Sequence, residues 1–307
     1  MRPCGVWRNL LHHWSGSRLA GAWNQAHIRN LFGIFEQNEP KLMIFIDGYF
    51  DESSPSQQVN DEAVPEFVVV AGFVNLTENW LPFCIDWGKV LDLPKPVQYF
   101  HGVEANGRRG QFAGFSNEER DEKVIALVDT IREHRPQPLV SAVYPADYDK
   151  LWGKFPGVMP PDPYIFCLYH LMIEAADLNS SRKTIEPFRI FLIFEDNEAM
   201  RKKAGETLDY VLRQKPELAD IFGNLTFADK QLYKPLQAAD ALAYDLNKEF
   251  TRQLRSPGAK MRKSLEAILE SAPGRGVYWP WRYEDLRKVF EGRYRRLVAG
   301  RSDRGEK

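Results

Sequence analysis

The sequence predicts an α/β fold: a mixed five-stranded sheet with helices on both faces. Three observations predict it. Residues 42–50 and 67–74 are nearly continuous apolar runs rich in branched and aromatic side chains, as in central strands covered on both faces. From residue 117 onward, stretches with helical spacing alternate with short β-rich runs. Prolines and glycines punctuate the joins.

A helix is expected over residues 24–35, inside a weakly patterned opening segment. The first strand, residues 42–50, is stopped by Ser53, Ser54, Pro55 and Ser56. Pro65 precedes the second strand at 67–74. A helix is expected over 80–91, broken by Pro94 and Pro96, then a Gly/Arg-rich loop over 106–114. Asn117 opens a helix to about His134, with Val124, Leu127, Val128 and Ile131 on one face. Residues 139–144 form the third strand, and Pro160, Pro161 and Pro163 a rigid loop. A helix at 164–177, a strand at 188–194, a helix at 197–213, a strand at 221–227 and a helix at 236–253 complete the core. Two further helices, at 263–270 and 282–298, flank a turn at Gly274 and Gly276. With the region of about 75–136 taken as a helical insertion, this order is the ribonuclease-H-like one. The expected divisions are an N-terminal extension, 1–38, the α/β domain, 39–254, and a C-terminal helical extension, 255–307.

Composition bounds the function. The chain has 307 residues, with 41 Lys plus Arg against 42 Asp plus Glu and a formal charge of -1. A wholesale basic coat for nucleic acid is excluded, while a local patch is not. Cys4, Cys84 and Cys167 form no CxxC pair, which argues against a thiolate zinc site and a disulfide scaffold. No apolar run reaches the roughly 18–20 residues of a membrane span. The opening residues lack a signal-peptide pattern, so a cytoplasmic location without membrane contact is expected. GxGxxG, the P-loop and GxSxG are all missing, which removes the usual dinucleotide, nucleoside-triphosphate and α/β-hydrolase readings.

The chemistry-bearing residues are acids at strand ends. Phe45, Asp47, Tyr49 and Asp51 share one face of the first strand, and Ile44, Ile46, Gly48 and Phe50 the other. An aspartate in such a run is costly to bury without a partner. Glu195 and Asp196 directly follow the fourth strand, where Asp196 also has ordinary capping work available. Asp240 sits at the edge of an Ala-rich helical stripe, flanked a turn away by Gln237 and Tyr244. Glu174 borders the stripe of the helix after the third strand. Parallel pairing of the first and fourth strands brings Asp51 or Asp47 together with Glu195 and Asp240. Three gathered acids raise one another's pKa unless a cation offsets them. Mg²⁺ or Mn²⁺ suits such oxygen ligands and can support phosphodiester hydrolysis. His101 is a candidate to orient a phosphate or carry a proton. Arg108, Arg109 and Arg120 are candidates for phosphate contacts. His12 and His13 have no acidic or thiolate partner nearby in sequence and are treated as incidental.

Several segments, in order, carry a resemblance. They are Tyr49-Phe-Asp-Glu-Ser53, Phe67-Val-Val-Val-Ala-Gly-Phe73, Trp80 with Trp87-Gly-Lys-Val-Leu91, Tyr99-Phe-His101, Gly110-Gln-Phe-Ala-Gly-Phe-Ser116 and Leu236-Gln-Ala-Ala-Asp-Ala-Leu-Ala-Tyr244. Across roughly two-thirds of its length the chain resembles the bacterial and phage family called domain of unknown function 3800. The resemblance implies a ribonuclease-H-like core and a metal-dependent nuclease or related enzyme. The family's Asp-Glu-Ser-Gly motif maps onto Asp51, Glu52, Ser53 and Ser54, with Ser54 replacing the glycine. Its Gln-x-x-Asp motif maps onto Gln237 and Asp240, and a fourth-strand acid onto Glu195. Asp47-Gly48 also looks like the first-strand Asp-Gly of true ribonucleases H, so the first ligand stays open between Asp47 and Asp51, with Asp51 favoured.

The expected function is hydrolysis of DNA or RNA. Asp51, Glu195 and Asp240 would hold Mg²⁺ or Mn²⁺, Asp47, Glu174 and His101 would assist, and Gln237, Arg108, Arg109 and Tyr244 would position substrate. The competing expectation is a non-catalytic nucleic-acid or protein interaction module, favoured if internal Lys or Arg side chains tie up the acids. Near the C-terminus, two basic clusters flank Tyr278, Trp279, Trp281 and Tyr283. Such a surface suits single strands, although packing of a terminal helix onto the core is the commoner use.

Overall fold

The computed structural model describes residues 43–53, 67–178, 187–271 and 280–302. Contacts divide the chain into two units, Met1–Leu42 and Met43–Lys307, and the sheet and helices described belong to the second. The helix expected at 24–35, His12, His13, the Ser54–Ser56 turn, the glycine turn at 274–276, Tyr278 and Trp279 lie outside the described residues.

The sheet contains β1 (Ile44–Ser53), β2 (Val68–Leu76), β3 (Gln137–Val143), β4 (Phe188–Glu195) and β5 (Phe222–Ala228). Their spatial order is β3-β2-β1-β4-β5. β1 runs antiparallel to β2, and β2 to β3, while β4 lies parallel to both β1 and β5. Helices cover both faces, so this is the ribonuclease-H-like arrangement. Between β2 and β3 the chain inserts α1 (Trp80–Asp92), α2 (Gly102–Gly107) and α3 (Asn117–His134). Then come α4 (Pro145–Lys154) and α5 (Pro163–Asp177), α6 (Glu198–Gln214) between β4 and β5, and finally α7 (Lys234–Arg255), α8 (Lys263–Ser271) and α9 (Tyr283–Ser302).

Strand alternation divides the core into two layers. Ile46, Phe50, Val68 and Val70 pack with side chains of α4, α5, α6 and α9. Tyr49, Val69, Ala71 and Phe73 face the other way, toward α1, α3, α7 and α8. Each fully buried side chain of the Leu or Phe class contributes roughly 1.5–3 kcal/mol.

Local chemistry fixes the helix ends. Ser116 and Glu119 form a reciprocal capping box at the start of α3. Prolines stand in the first turn of α4, α5 and α7, where a missing N–H costs no helical hydrogen bond. The buried Lys123 donates to the carbonyls of Val90, Leu91 and Leu93 at 2.5, 3.1 and 2.7 Å, closing the C-terminus of α1.

The expected elements stand within three residues of the observed ones. Two helices lie where the sequence predicts none. α4 is short, and its apolar residues Tyr148, Leu151 and Trp152 are followed at once by Gly153 and the proline loop. α2 occupies Gly102–Gly107, overlapping the expected Gly/Arg-rich loop, which continues through the left-handed Arg108 (φ 46°) and a one-turn 3-10 helix at Gly110–Phe112. Among the described residues no helix is long and apolar enough to cross a membrane.

Candidate active site

Parallel pairing of β1 and β4 sets the site. Phe50 stands opposite Phe194, so Asp51 and Glu195 emerge side by side at the C-terminal ends of their strands. α7 packs across β1 and β2 and brings Asp240 to the same margin. Its buried alanines, Ala238, Ala239 and Ala243, let the helix backbone lie close to the sheet. Asn247, two turns further on, donates to the carbonyls of Ser53 and Phe67 at 3.3 and 3.1 Å and clasps the facing ends of β1 and β2.

The three acids meet at one cation. The ammonium of Lys230, in the loop between β5 and α7, lies 3.0 Å from Glu195 Oε2, 3.1 Å from Asp240 Oδ1 and 3.6 Å from Asp51 Oδ2. Burial opposes its charge, but the carboxylates of Asp51, Asp240 and Glu195 outweigh burial and raise its pKa above the usual lysine value. One ammonium cannot offset three carboxylates. Burial, followed by the Asp240 charge, pushes the Asp51 carboxyl well above the ordinary carboxylate range; Lys230 pulls the other way and Glu195 adds to the rise.

Each acid is also held by the backbone or left open in a definite way. Asp51 Oδ1 accepts from the Glu52 N–H at 2.8 Å, while Oδ2 is buried without a hydrogen-bond partner among the described residues. Asp240 Oδ2 accepts from the Gly102 N–H at 2.6 Å. That approach depends on glycine, because a Cβ at position 102 would lie 2.9 Å from the Tyr244 ring.

His101 borders the cluster, with Nε2 3.7 Å from Asp240 Oδ1 and Nδ1 3.5 Å from Glu104 Oε1. Glu104 also accepts from the Tyr99 hydroxyl at 3.1 Å and the Gln111 N–H at 2.8 Å. Burial alone would raise the Glu104 pKa, yet these donors and His101 hold it below the usual value.

The other expected site residues are placed differently. Asp47 is buried within β1, opposite Asn75 and Phe191, and its carbonyl accepts from Trp80 Nε1; the Lys230 ion pairs fall to Asp51. Glu174 belongs to α5 on the opposite face of the sheet, 3.6 Å from His170 Nε2, and is not brought to the cluster. Gln237 does not present itself to a substrate. It is fully buried, accepts from Trp87 Nε1 and the Phe100 N–H, and donates to the carbonyls of Lys230 and Gln231. It therefore anchors the loop that carries Lys230. Arg108 and Arg109 are exposed in the turn after α2. Tyr244 is half-buried beside Gly102, and burial pushes its phenol up to about 12. Asp196 forms a bidentate pair with Arg201, at 2.6 and 2.7 Å, outside the Lys230 cluster. Lys230 and Glu104 are the residues of this constellation that sequence patterns do not single out.

The donor chemistry suits a hard cation: carboxylate oxygens, an orphaned buried oxygen on Asp51, and an ammonium standing in for positive charge. The spacing is that of an ammonium site. Among the described residues no group of three or more His, Cys, Asp or Glu side chains is arranged to hold a metal directly. No protein-family model matches the chain, and no curated protein matches it.

Proposed function

We propose that the chain is a metal-dependent phosphodiesterase, a nuclease acting on DNA or RNA, and a member of the domain of unknown function 3800 family. The observation that carries this reading is the convergence of Asp51, Glu195 and Asp240 within 3.6 Å of one ammonium at the strand ends of a ribonuclease-H-like sheet. Sequence-distant carboxylates gathered around surplus negative charge form a receptor for further positive charge.

In this reading Asp51, Glu195 and Asp240 hold Mg²⁺ or Mn²⁺, with Lys230 moving aside. Such an ion, when bound, polarises a phosphoryl oxygen and activates water. The chain's own groups do the rest. The Glu52 and Gly102 N–H groups fix the carboxylates of Asp51 and Asp240. His101, partly exposed and oriented by Glu104, stands where it can hand a proton to the leaving oxygen. Once released, Lys230 offers its ammonium to a phosphate oxygen. The family resemblance supports the same residues, since its Asp51 and Gln237/Asp240 motifs both end at this cluster.

The occupied cluster also favours a second reading, in which Lys230 neutralises the acids permanently and the chain serves as an interaction module. Cleavage of mixed DNA and RNA substrates with Mg²⁺ or Mn²⁺ separates the two. The wild type is expected to cut. Asp51→Asn and Asp240→Asn are expected to lose at least a hundredfold in rate while keeping a folded circular-dichroism spectrum. Cleavage untouched by both substitutions removes the site, and no cleavage by the folded wild type on any substrate leaves the module.

A further inference from the structure

A cavity of about 560 Å³ lies between α1, α2, α3, α7 and α8, on the far side of Gly102 from the acid cluster. Gly102 lines it while its N–H holds Asp240, and Ala241 and Tyr244, the next residues of α7 on that side, line it as well. Cavity and cluster therefore share a wall one residue thick. The volume lies in the range of small-molecule sites.

The lining has two characters. Trp87, Phe100, Leu127 and Val128 make an apolar floor, with the Tyr244 ring on one wall. Arg120, Arg262 and Lys263 stand around it. Asp121 fixes the Arg120 Nε at 2.6 Å, and Asp245 fixes the Arg262 Nη2 at 2.9 Å, so both guanidinium groups are held in place before anything binds. Lys263 is exposed and makes no ion pair among the described residues. Lys248 lies 5.5 Å from the Tyr244 ring centre, adding positive charge on that side. A flat apolar bed with an aromatic wall suits a nucleobase, and fixed guanidinium groups beside a lysine suit its phosphates. A lipid chain has no use for the cations, and a free phosphate has none for the floor.

We infer that this cavity receives an unpaired nucleobase of the strand whose phosphodiester lies at the acid cluster, so that the substrate class is single-stranded nucleic acid or a duplex position whose base can be turned out. The inference rests on the nuclease reading, because it places the base and the cut phosphate on two sides of Gly102. A base still paired in a duplex cannot enter, and turning one out costs a few kcal/mol.

Binding and cleavage are measured separately on the full chain. In EDTA, the four 5′-mononucleotides and inorganic phosphate are titrated by calorimetry against the wild type, Val124→Trp, which fills the cavity from α3, and Lys263→Ala, which removes a cation at its edge without touching the floor. At least one mononucleotide is expected to bind ten times more tightly than phosphate. Val124→Trp is expected to weaken that binding tenfold or more, and Lys263→Ala several-fold. With Mn²⁺, Val124→Trp is expected to raise KM for a single-stranded oligonucleotide at least tenfold with kcat within threefold. Mononucleotide and phosphate binding equally, or nucleotide binding unchanged in Lys263→Ala and in a folded Val124→Trp, overturns the cavity inference, even if the wild type cleaves. Cavity-dependent nucleotide binding by a chain that cleaves nothing supports the base site and removes the nuclease reading instead.

Discussion

Lys230 holds its ammonium among three carboxylates although it lies in a loop whose neighbours, Asp229 and Gln231, are exposed. That loop is held by Gln237, which binds the Lys230 carbonyl at 2.9 Å. Removing the cation leaves buried acids facing one another, and breaking such a largely buried pair costs about 3–5 kcal/mol. Lys230→Met is therefore expected to melt several degrees below the wild type in EDTA. If the cluster accepts a divalent ion, millimolar Mn²⁺ will raise the melting temperature of Lys230→Met by more than it raises that of the wild type. Equal melting of the variant with and without Mn²⁺, measured by calorimetry, counts against a cation site. The acids of this cluster are legible in the sequence because each follows a recognisable β-run or lies on an Ala-rich stripe. Lys230 is not, because a lysine in a short loop has no periodicity to mark it. Glu104 stays hidden for the same reason, since its role depends on a short helix inside a stretch that reads as loop. Asp47 and Asp51 are alike in sequence, sharing one strand face, and only the end of the strand separates them.

At the scale of elements, α7 connects the site to the sheet and to the C-terminal helices. Gln237 secures its first turns, Asp240 reaches the cluster, Asn247 clasps β1 and β2, and the buried Glu249 ties its end to the segment leading into α8. Glu249 accepts from Arg252 Nη2 and Gln253 Nε2, each at 2.8 Å, and from the Arg262 N–H at 3.2 Å. Burial would raise its pKa, but these donors win and lower it. A carboxyl with a folded pKa below its unfolded value, about 4.3, stabilises the fold above that pH and loses this contribution as pH falls through the folded pKa. Glu249→Gln is expected to cost about 1.5–3 kcal/mol at pH 7, and its deficit relative to the wild type should shrink between about pH 5 and pH 3. Urea unfolding across that range checks the sign; a deficit growing toward acid refutes it. On β2, a Cβ at Gly72 would fall 1.9 Å from the Tyr49 carbonyl oxygen and 2.7 Å from the Phe50 ring. Gly72→Ala must push β1 and β2 apart, at a cost above ~3 kcal/mol. Its expected outcome is insoluble protein or a melting temperature lower by roughly ten degrees or more, and near-wild-type melting would show that the strand pair yields. The order of elements is legible because apolar runs and prolines mark it. α4 is not, since a short helix ending in Gly-Lys gives too few turns for a helical period to emerge.

Across the whole molecule, near-zero net charge is reproduced locally within the C-terminal segment. On α9, Arg287 pairs with Glu284 and Glu291 at 2.8 and 2.9 Å, Lys288 lies 3.8 Å from Asp285, and Arg293 lies over the rings of Tyr169 and Tyr210. The basic run in the sequence is thus largely a solvated helix face with its own acids. Its inner side belongs to the core. Leu286 and Phe290 are fully buried in the layer containing Phe50, and Phe290 packs edge-on against Tyr148 at 5.4 Å between ring centres. Just before α9, the Trp281 N–H donates to the Ala142 carbonyl at 2.8 Å, extending the edge of the sheet beyond β3, and Arg282 pairs with Asp147 at 2.8 Å. A helix joined by strand pairing, an ion pair and buried aromatics should unfold together with the sheet. Phe290→Ala removes a buried ring with no polar partner to lose, so its effect reads packing alone: about 3–5 kcal/mol. If the helix melts with the domain, denaturant unfolding of Phe290→Ala will remain one transition with a lower midpoint and an unchanged slope. An appended helix would instead give an unshifted main transition preceded by a separate early loss of helical signal, and that result would detach α9 from the folding unit.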